Sequence, residues 1–193
     1  TGEFKILSPR RKNIEYGLAH HKGYFYIITN EDAVNFKVMK ARVEESDRNK
    51  WQEFIPARNN IMIEDFEEFE NYLVISEVEN GLKKLKYYDI TKQLFQEITF
   101  DEAVYSFYLS SNPEFETDVL RYQYQSLTTP DSVFEYNFNK GESILLKQSE
   151  VLDKNYSPSN FRSERIYARA EDGMAIPISM VYHKDLAQKY KSE

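Results

Sequence analysis

The stretch Tyr24-Phe25-Tyr26-Ile27-Ile28 is a run of aromatic and β-branched residues, and it returns as Tyr72-Leu73-Val74-Ile75-Ser76. A looser third copy is Val119-Leu120-Arg121-Tyr122, so the pattern recurs after 48 residues (Tyr24 to Tyr72) and again after 47 (Tyr72 to Val119). Self-similarity at a fixed period of this size marks stacked supersecondary units. Such residues suit a pleated surface, and a short apolar run without alternation predicts a strand covered on both faces.

Each run has neighbours that repeat with it. A strand of alternating character follows: Phe36-Lys37-Val38-Met39-Lys40, Lys84-Leu85-Lys86-Tyr87-Tyr88 and Phe134-Glu135-Tyr136-Asn137-Phe138. Next come Trp51-Gln52-Glu53-Phe54-Ile55, Phe95-Gln96-Glu97-Ile98 and Ser143-Ile144-Leu145-Leu146. One more β-like segment precedes each run: Glu15-Tyr16-Gly17-Leu18-Ala19, Ile61-Met62-Ile63-Glu64-Asp65 and Val104-Tyr105-Ser106-Phe107-Tyr108-Leu109. Four short strands per repeat, joined by turns such as Glu79-Asn80-Gly81 and Asn139-Lys140-Gly141, are what a β-propeller blade requires. The reading is an all-β chain with about three four-stranded antiparallel blades. Helical periodicity is absent until the polar tail at 185–190.

From Arg162 the pattern changes. Glu164-Arg165-Ile166-Tyr167-Ala168-Arg169-Ala170 and Ala175-Ile176-Pro177-Ile178-Ser179-Met180-Val181-Tyr182 flank Glu171-Asp172-Gly173-Met174, and Asp-Gly between strands signals a hairpin. Ser157-Pro158-Ser159-Asn160 reads as a linker. The expected division is therefore 1–160 and 161–193.

Composition narrows the function classes. Aromatics are 15% of the 193 residues, and Gly and Pro, at 6 each, are too few for a disordered linker. Lys plus Arg is 25 against 32 for Asp plus Glu, and the net charge of −7 argues against nucleic acid as a partner. There is no cysteine, which excludes disulfides, thiolate catalysis and Cys-ligated zinc. The compartment stays open on this ground, because periplasmic proteins also lack Cys at times; the cytoplasm is the expectation, with the periplasm as the alternative. No apolar run is long enough to span a membrane. The start, Thr1-Gly2-Glu3-Phe4-Lys5, reads like a chain entered midway.

Arg162-Ser163-Glu164-Arg165, Ala168-Arg169-Ala170-Glu171-Asp172-Gly173 and Ile176-Pro177-Ile178-Ser179-Met180-Val181-Tyr182 resemble the entry into the catalytic domain of the prolyl oligopeptidase family of serine peptidases. Three upstream stretches resemble the oligopeptidase B branch of that family. They are Trp51-Gln52-Glu53-Phe54-Ile55-Pro56-Ala57-Arg58, Arg121-Tyr122-Gln123-Tyr124-Gln125-Ser126-Leu127-Thr128-Thr129-Pro130 and Leu146-Lys147-Gln148-Ser149-Glu150-Val151. The resemblance implies a seven-bladed propeller capping an α/β-hydrolase domain and admitting short peptides, with cleavage after Arg and Lys. On that reading residues 1–160 are later blades of the propeller. Residues 161–193 are the hinge and first β-hairpin of the hydrolase domain. The implied partners are short basic peptides, together with the remaining blades and the catalytic domain of the same chain. Neither cofactor nor metal is implied.

The chemistry of a hydrolase needs a Ser on a sharp strand-to-helix turn, usually Gly-x-Ser-x-Gly, with Asp and His later in the chain. Gly141-Glu142-Ser143-Ile144-Leu145 begins like one but lacks the second Gly and follows a hairpin turn. No catalytic residue is assigned, and the chain by itself is expected to be inactive. His20-His21 and His183 read as ordinary surface or hinge histidines, since adjacent strand residues face opposite ways. Glu64, Asp65, Glu67 and Glu68, with Glu70, form an acidic run that either attracts basic peptides or is a solvated strand face. Arg162, Glu164 and Arg165 are candidates for holding the two domains together, against the reading of weak exposed pairs.

Two other classes compete with a peptidase fragment. One is a freestanding propeller serving as a protein-interaction scaffold. The other, a propeller glycosidase, needs paired carboxylates that the sequence does not place. A run of three blades would also leave faces uncovered, with Phe25, Ile27, Val74, Leu120 and Phe134 among the exposed side chains, which predicts self-association.

Overall fold

A computed structural model describes residues 5–186. The first sheet is β1 (Tyr16–His21), β2 (Tyr24–Thr29), β3 (Lys37–Arg42) and β4 (Gln52–Ile55), in that order. The second is β5 (Ile61–Glu68), β6 (Tyr72–Glu79), β7 (Leu82–Asp89) and β8 (Leu94–Ile98). The third is β9 (Tyr105–Leu109), β10 (Val119–Ser126), β11 (Ser132–Asn137) and β12 (Glu142–Gln148). All three are antiparallel meanders, and each begins and ends within a few residues of where the repeat places it. A separate ladder pairs β13 (Phe161–Arg169) with β14 (Ala175–His183). Within 15–148 the described helical structure is two 3₁₀ turns, Val43–Glu45 and Arg48–Lys50. The polar tail lies mostly outside the described residues.

Contact density divides the chain into two bodies. One holds the residues up to 79 with Lys84–Glu97, and the other holds Asn80–Lys83 with the residues from 98 onward. In the first body, Ala19, Val38 and Ile55 of one sheet pack with Ile63, Leu73 and Ile75 of the next. Burying each such aliphatic side chain contributes roughly 1.5–3 kcal/mol. Tyr26 stacks on Phe66 with centroids 5.5 Å apart and meets Phe54 edge-on at 5.0 Å. Burial, with smaller effects from Tyr88 and Tyr24, pushes the Tyr26 hydroxyl up to about 12. Polar ties reinforce the seam: His21 Nε2 lies 2.9 Å from the Glu70 carbonyl, and Asn35 Nδ2 donates to the Asn59 carbonyl at 2.7 Å.

In the second body Phe100 is the hub of an aromatic cluster, 4.7 Å from Tyr105, 5.2 Å from Tyr124 and 5.5 Å from Phe107. Glu102 accepts hydrogen bonds from the Tyr124 hydroxyl at 2.6 Å, Ser126 Oγ at 2.8 Å, Thr129 Oγ1 at 3.0 Å and also from Thr128 Oγ1. Burial alone would raise the Glu102 pKa, but these hydroxyls favour the carboxylate and hold it below its ordinary value.

Two expectations change. The middle strand β6 is buried over six consecutive residues, as a strand covered on both faces should be, whereas β10 alternates. Leu120, Tyr122 and Tyr124 are buried while Arg121, Gln123 and Gln125 are exposed, because only one face of β10 carries apolar side chains. The uncovered apolar surface also lies elsewhere than expected. Ile27, Val74 and Leu120 are fully buried, since other side chains cover the sheet faces from which they project. Exposed apolar side chains gather on edge strand β12 (Ile144, Leu145, Leu146) and on the β13–β14 ladder (Ile166, Tyr167, Ile176, Ile178, Val181), with others on β1 (Tyr16, Leu18) and β8 (Leu94, Phe95).

Candidate functional site

In the first body β1 runs close to β5, the first strand of each sheet. The two sheets therefore approach each other at their first strands. The acidic run lies on β5, where the ladder slips: Ile63 pairs with Glu77 and Asp65 with Ser76, leaving Glu64 as an extra residue. A bulge breaks the strict two-residue alternation. Glu64 and Asp65 are therefore both exposed, though they are consecutive.

Beside this bulge is a groove of about 410 Å³ whose apolar floor includes Leu18, Ile28, Phe36 and Phe66 and whose rim carries Glu15, Glu64, Asp65 and Glu68. Asp65 Oδ1 accepts the Phe66 N–H at 2.9 Å, which fixes its orientation. Burial raises the pKa of Glu68, against the opposing effect of hydrogen bonds from its own backbone and that of His20 and of the charges on His21 and His20. Four carboxylates over an apolar floor suit a cationic group on an aliphatic stem, the shape of a Lys or Arg side chain.

Of the four acidic candidates, the structure brings Glu64, Asp65 and Glu68 to this groove. Glu67 is partly buried and is not among the lining residues. Glu70, just past the strand, pairs with Lys22 at 3.2 Å. Glu15 was missed as a site residue. The repeat does not single it out, because the residue one period of 48 after Glu15 is the apolar Ile63.

The proposed hinge residues lie on the hairpin. Arg162 Nε is 2.7 Å from Glu164 Oε1, which also accepts the Tyr182 hydroxyl at 2.8 Å and so raises that hydroxyl's pKa. Arg165 Nη2 donates to the Asn80 carbonyl. Asn80 and Gly81 both have positive φ, 51° and 73°, the requirement of a tight hairpin turn. A Cβ at Gly81 would meet Arg165 Nη2 at 3.3 Å, so glycine answers two constraints here.

No group of three or more metal-ligating side chains occurs among the described residues. Ser143 lies within β12, and its Oγ accepts the Tyr122 hydroxyl at 2.9 Å, which is not the setting of a nucleophile elbow. His20 is exposed against Phe25 while His21 is buried against Tyr26, so the two do face opposite ways.

Residues 2–149 match the profile of the N-terminal β-propeller domain of prolyl oligopeptidase. Over 99% of its length the chain is 37% identical to dipeptidyl aminopeptidase BI of Pseudoxanthomonas mexicana, of which it covers 26%. It is 28% identical over 92% of its length to Protease 2 of Moraxella lacunata, of which it covers 25%. Oligopeptidase B from Leishmania major superposes with a TM-score of 0.82 at 28% identity, over 94% of this chain and 27% of that one. The chain thus spans about a quarter of the length of the relatives it matches.

Proposed function

The chain belongs to the prolyl oligopeptidase family of serine peptidases as part of its N-terminal β-propeller domain, and from that premise we propose that it gates and attracts substrate for a hydrolase domain. Residues 1–160 act as propeller blades, and 161–193 form the hinge and first hairpin of the hydrolase domain, with Arg162, Glu164 and Arg165 at the joint. The partners are short basic peptides, the other blades and the catalytic domain, which cover the apolar side chains of β12–β14. The chain by itself is inactive, because an acyl transfer needs an activated Ser and its base.

The observation that carries this reading is the groove at the β1–β5 edge, where Glu15, Glu64, Asp65 and Glu68 surround an apolar floor. A cleft lined by one sign of charge raises the local concentration of oppositely charged ligand. The enzyme is proposed to be an endopeptidase cleaving after Arg or Lys. A second reading, removal of N-terminal dipeptides, is favoured by the 37% identity to a dipeptidyl aminopeptidase. The same carboxylates would serve a free α-ammonium group.

In the full-length enzyme, the triple change Glu64→Gln, Asp65→Asn, Glu68→Gln is expected to lower kcat/KM for Arg-containing peptides about tenfold at low salt, and less at high salt. A single-residue Arg-amide reporter carries the same cation and should also lose kcat/KM in that enzyme, and it should not be turned over by the 193-residue chain. Unchanged peptide kinetics would refute the groove's role. Blocking the peptide's N-terminus separates the two readings, since only the endopeptidase tolerates it.

A further inference from the structure

A second concavity, of about 270 Å³, lies elsewhere in the first body, between β4 and the face of β6, β7 and β8. Its walls are Phe54, Ile55, Pro56, Ile75 and Phe95, and the charged groups lining it are Arg58, Glu77 and Lys86. Glu77 is 3% exposed. It receives both terminal nitrogens of Arg58, Nη1 at 3.3 Å to Oε2 and Nη2 to Oε1, and the Lys86 ammonium at 3.0 Å to Oε2.

The charges in this concavity do not cancel. Two cations share one carboxylate, so the trio carries a formal charge of +1. Donors remain as well: an ammonium has three N–H groups, and Arg58 Nε is buried with no hydrogen-bond partner. Phe95 is 45% exposed at the mouth although the interior is apolar.

We propose that this concavity binds a carboxylate carried on an apolar body, with the carboxylate beside Lys86 and Arg58 and the body against Phe54 and Phe95. The sign of the trio selects an anion, and the walls select against a strongly hydrated one such as phosphate. The volume of about 270 Å³ falls just below the roughly 300–1,000 Å³ of ligand pockets, which limits the occupant to about one aromatic residue in size. This site shares no residue with the acidic groove and selects the opposite charge.

The test uses the full-length enzyme with isotope labels confined to its Arg, Lys and Phe side chains, titrated with N-acetyl-L-phenylalanine and separately with its neutral amide. The acid should shift the Arg58 Nε, Lys86 and Phe95 resonances saturably, and the amide should bind about tenfold more weakly or not at all. Lys86→Gln leaves Arg58 on Glu77 and should weaken the acid about tenfold while leaving the amide as it was. Phe95→Ala, at an exposed position, should weaken both. Equal binding of acid and amide, shifts centred elsewhere, or no saturable shift would each overturn the proposal.

Discussion

Strands β6 and β13 are eight and nine residues long, and both sit in antiparallel ladders. In β6 the first six residues are buried, whereas in β13 none is. The difference lies in cover and not in pairing. A strand needs only its neighbour's hydrogen bonds to form a ladder, but a two-stranded ladder alone is marginal in water. The blade therefore contributes stability within this chain, while the hairpin presents exposed apolar surface.

The largest effect that could break this contrast is in the cores. Leu73→Ala, at a fully buried position, should cost about 2–5 kcal/mol, while Ile178→Ala, at a residue 41% exposed, should cost less than about 1 kcal/mol. Urea denaturation of both variants measures this. Similar losses would show that the hairpin is as well supported as the blade.

A smaller effect separates two carboxylates. Glu102 serves four hydroxyl donors, so Glu102→Gln should cost about 1–2 kcal/mol at neutral pH. Its folded pKa lies below the ordinary 4.5, so its contribution is present above that value and is lost as pH falls through the folded pKa. The Gln variant should lack that acid-side loss in a stability–pH profile. A variant profile parallel to wild type below pH 4.5 would count against the network.

Glu68 carries the opposite sign and the smallest effect. Its folded pKa is raised above 4.5, so its favourable contribution is present below that value and is lost as pH rises through the folded pKa. Glu68→Gln should therefore gain a few tenths of a kcal/mol at neutral pH and none in strong acid, read from thermal unfolding at the two pH values. A loss of stability at neutral pH would mean that the charge on Glu68 stabilises the edge.

The twelve blade strands and their order are legible in the sequence because period and turn chemistry are local signals. The apolar run at Tyr72 even announces the burial of β6. What stayed hidden depends on partners distant in sequence. Glu77 looks like a solvent-facing residue near a strand end until Arg58, 19 residues earlier, is seen to cover it. Glu102 gains its four donors from residues 22 to 27 positions later. The acidic groove was half legible: the run on β5 stands out, but the bulge that turns Glu64 and Asp65 to solvent together has no compositional mark. Nor does the sequence say that Asn80–Lys83 belongs with the second body while the strands it joins belong with the first.

The bulge at Glu64 also bears on how such a groove arises. The first strands of the other two sheets, β1 and β9, pair with their neighbours without a register slip. Removing the single residue Glu64 would leave the pairs Ile63 with Glu77 and Asp65 with Ser76 next to each other, a regular ladder like the others. One codon therefore separates a plain structural repeat from one with adjacent carboxylates at its edge. In a protein built of repeats, such an insertion changes one copy and leaves its siblings to maintain the architecture. Recognition can then diversify blade by blade, through small insertions at the first strands, without renegotiating the core.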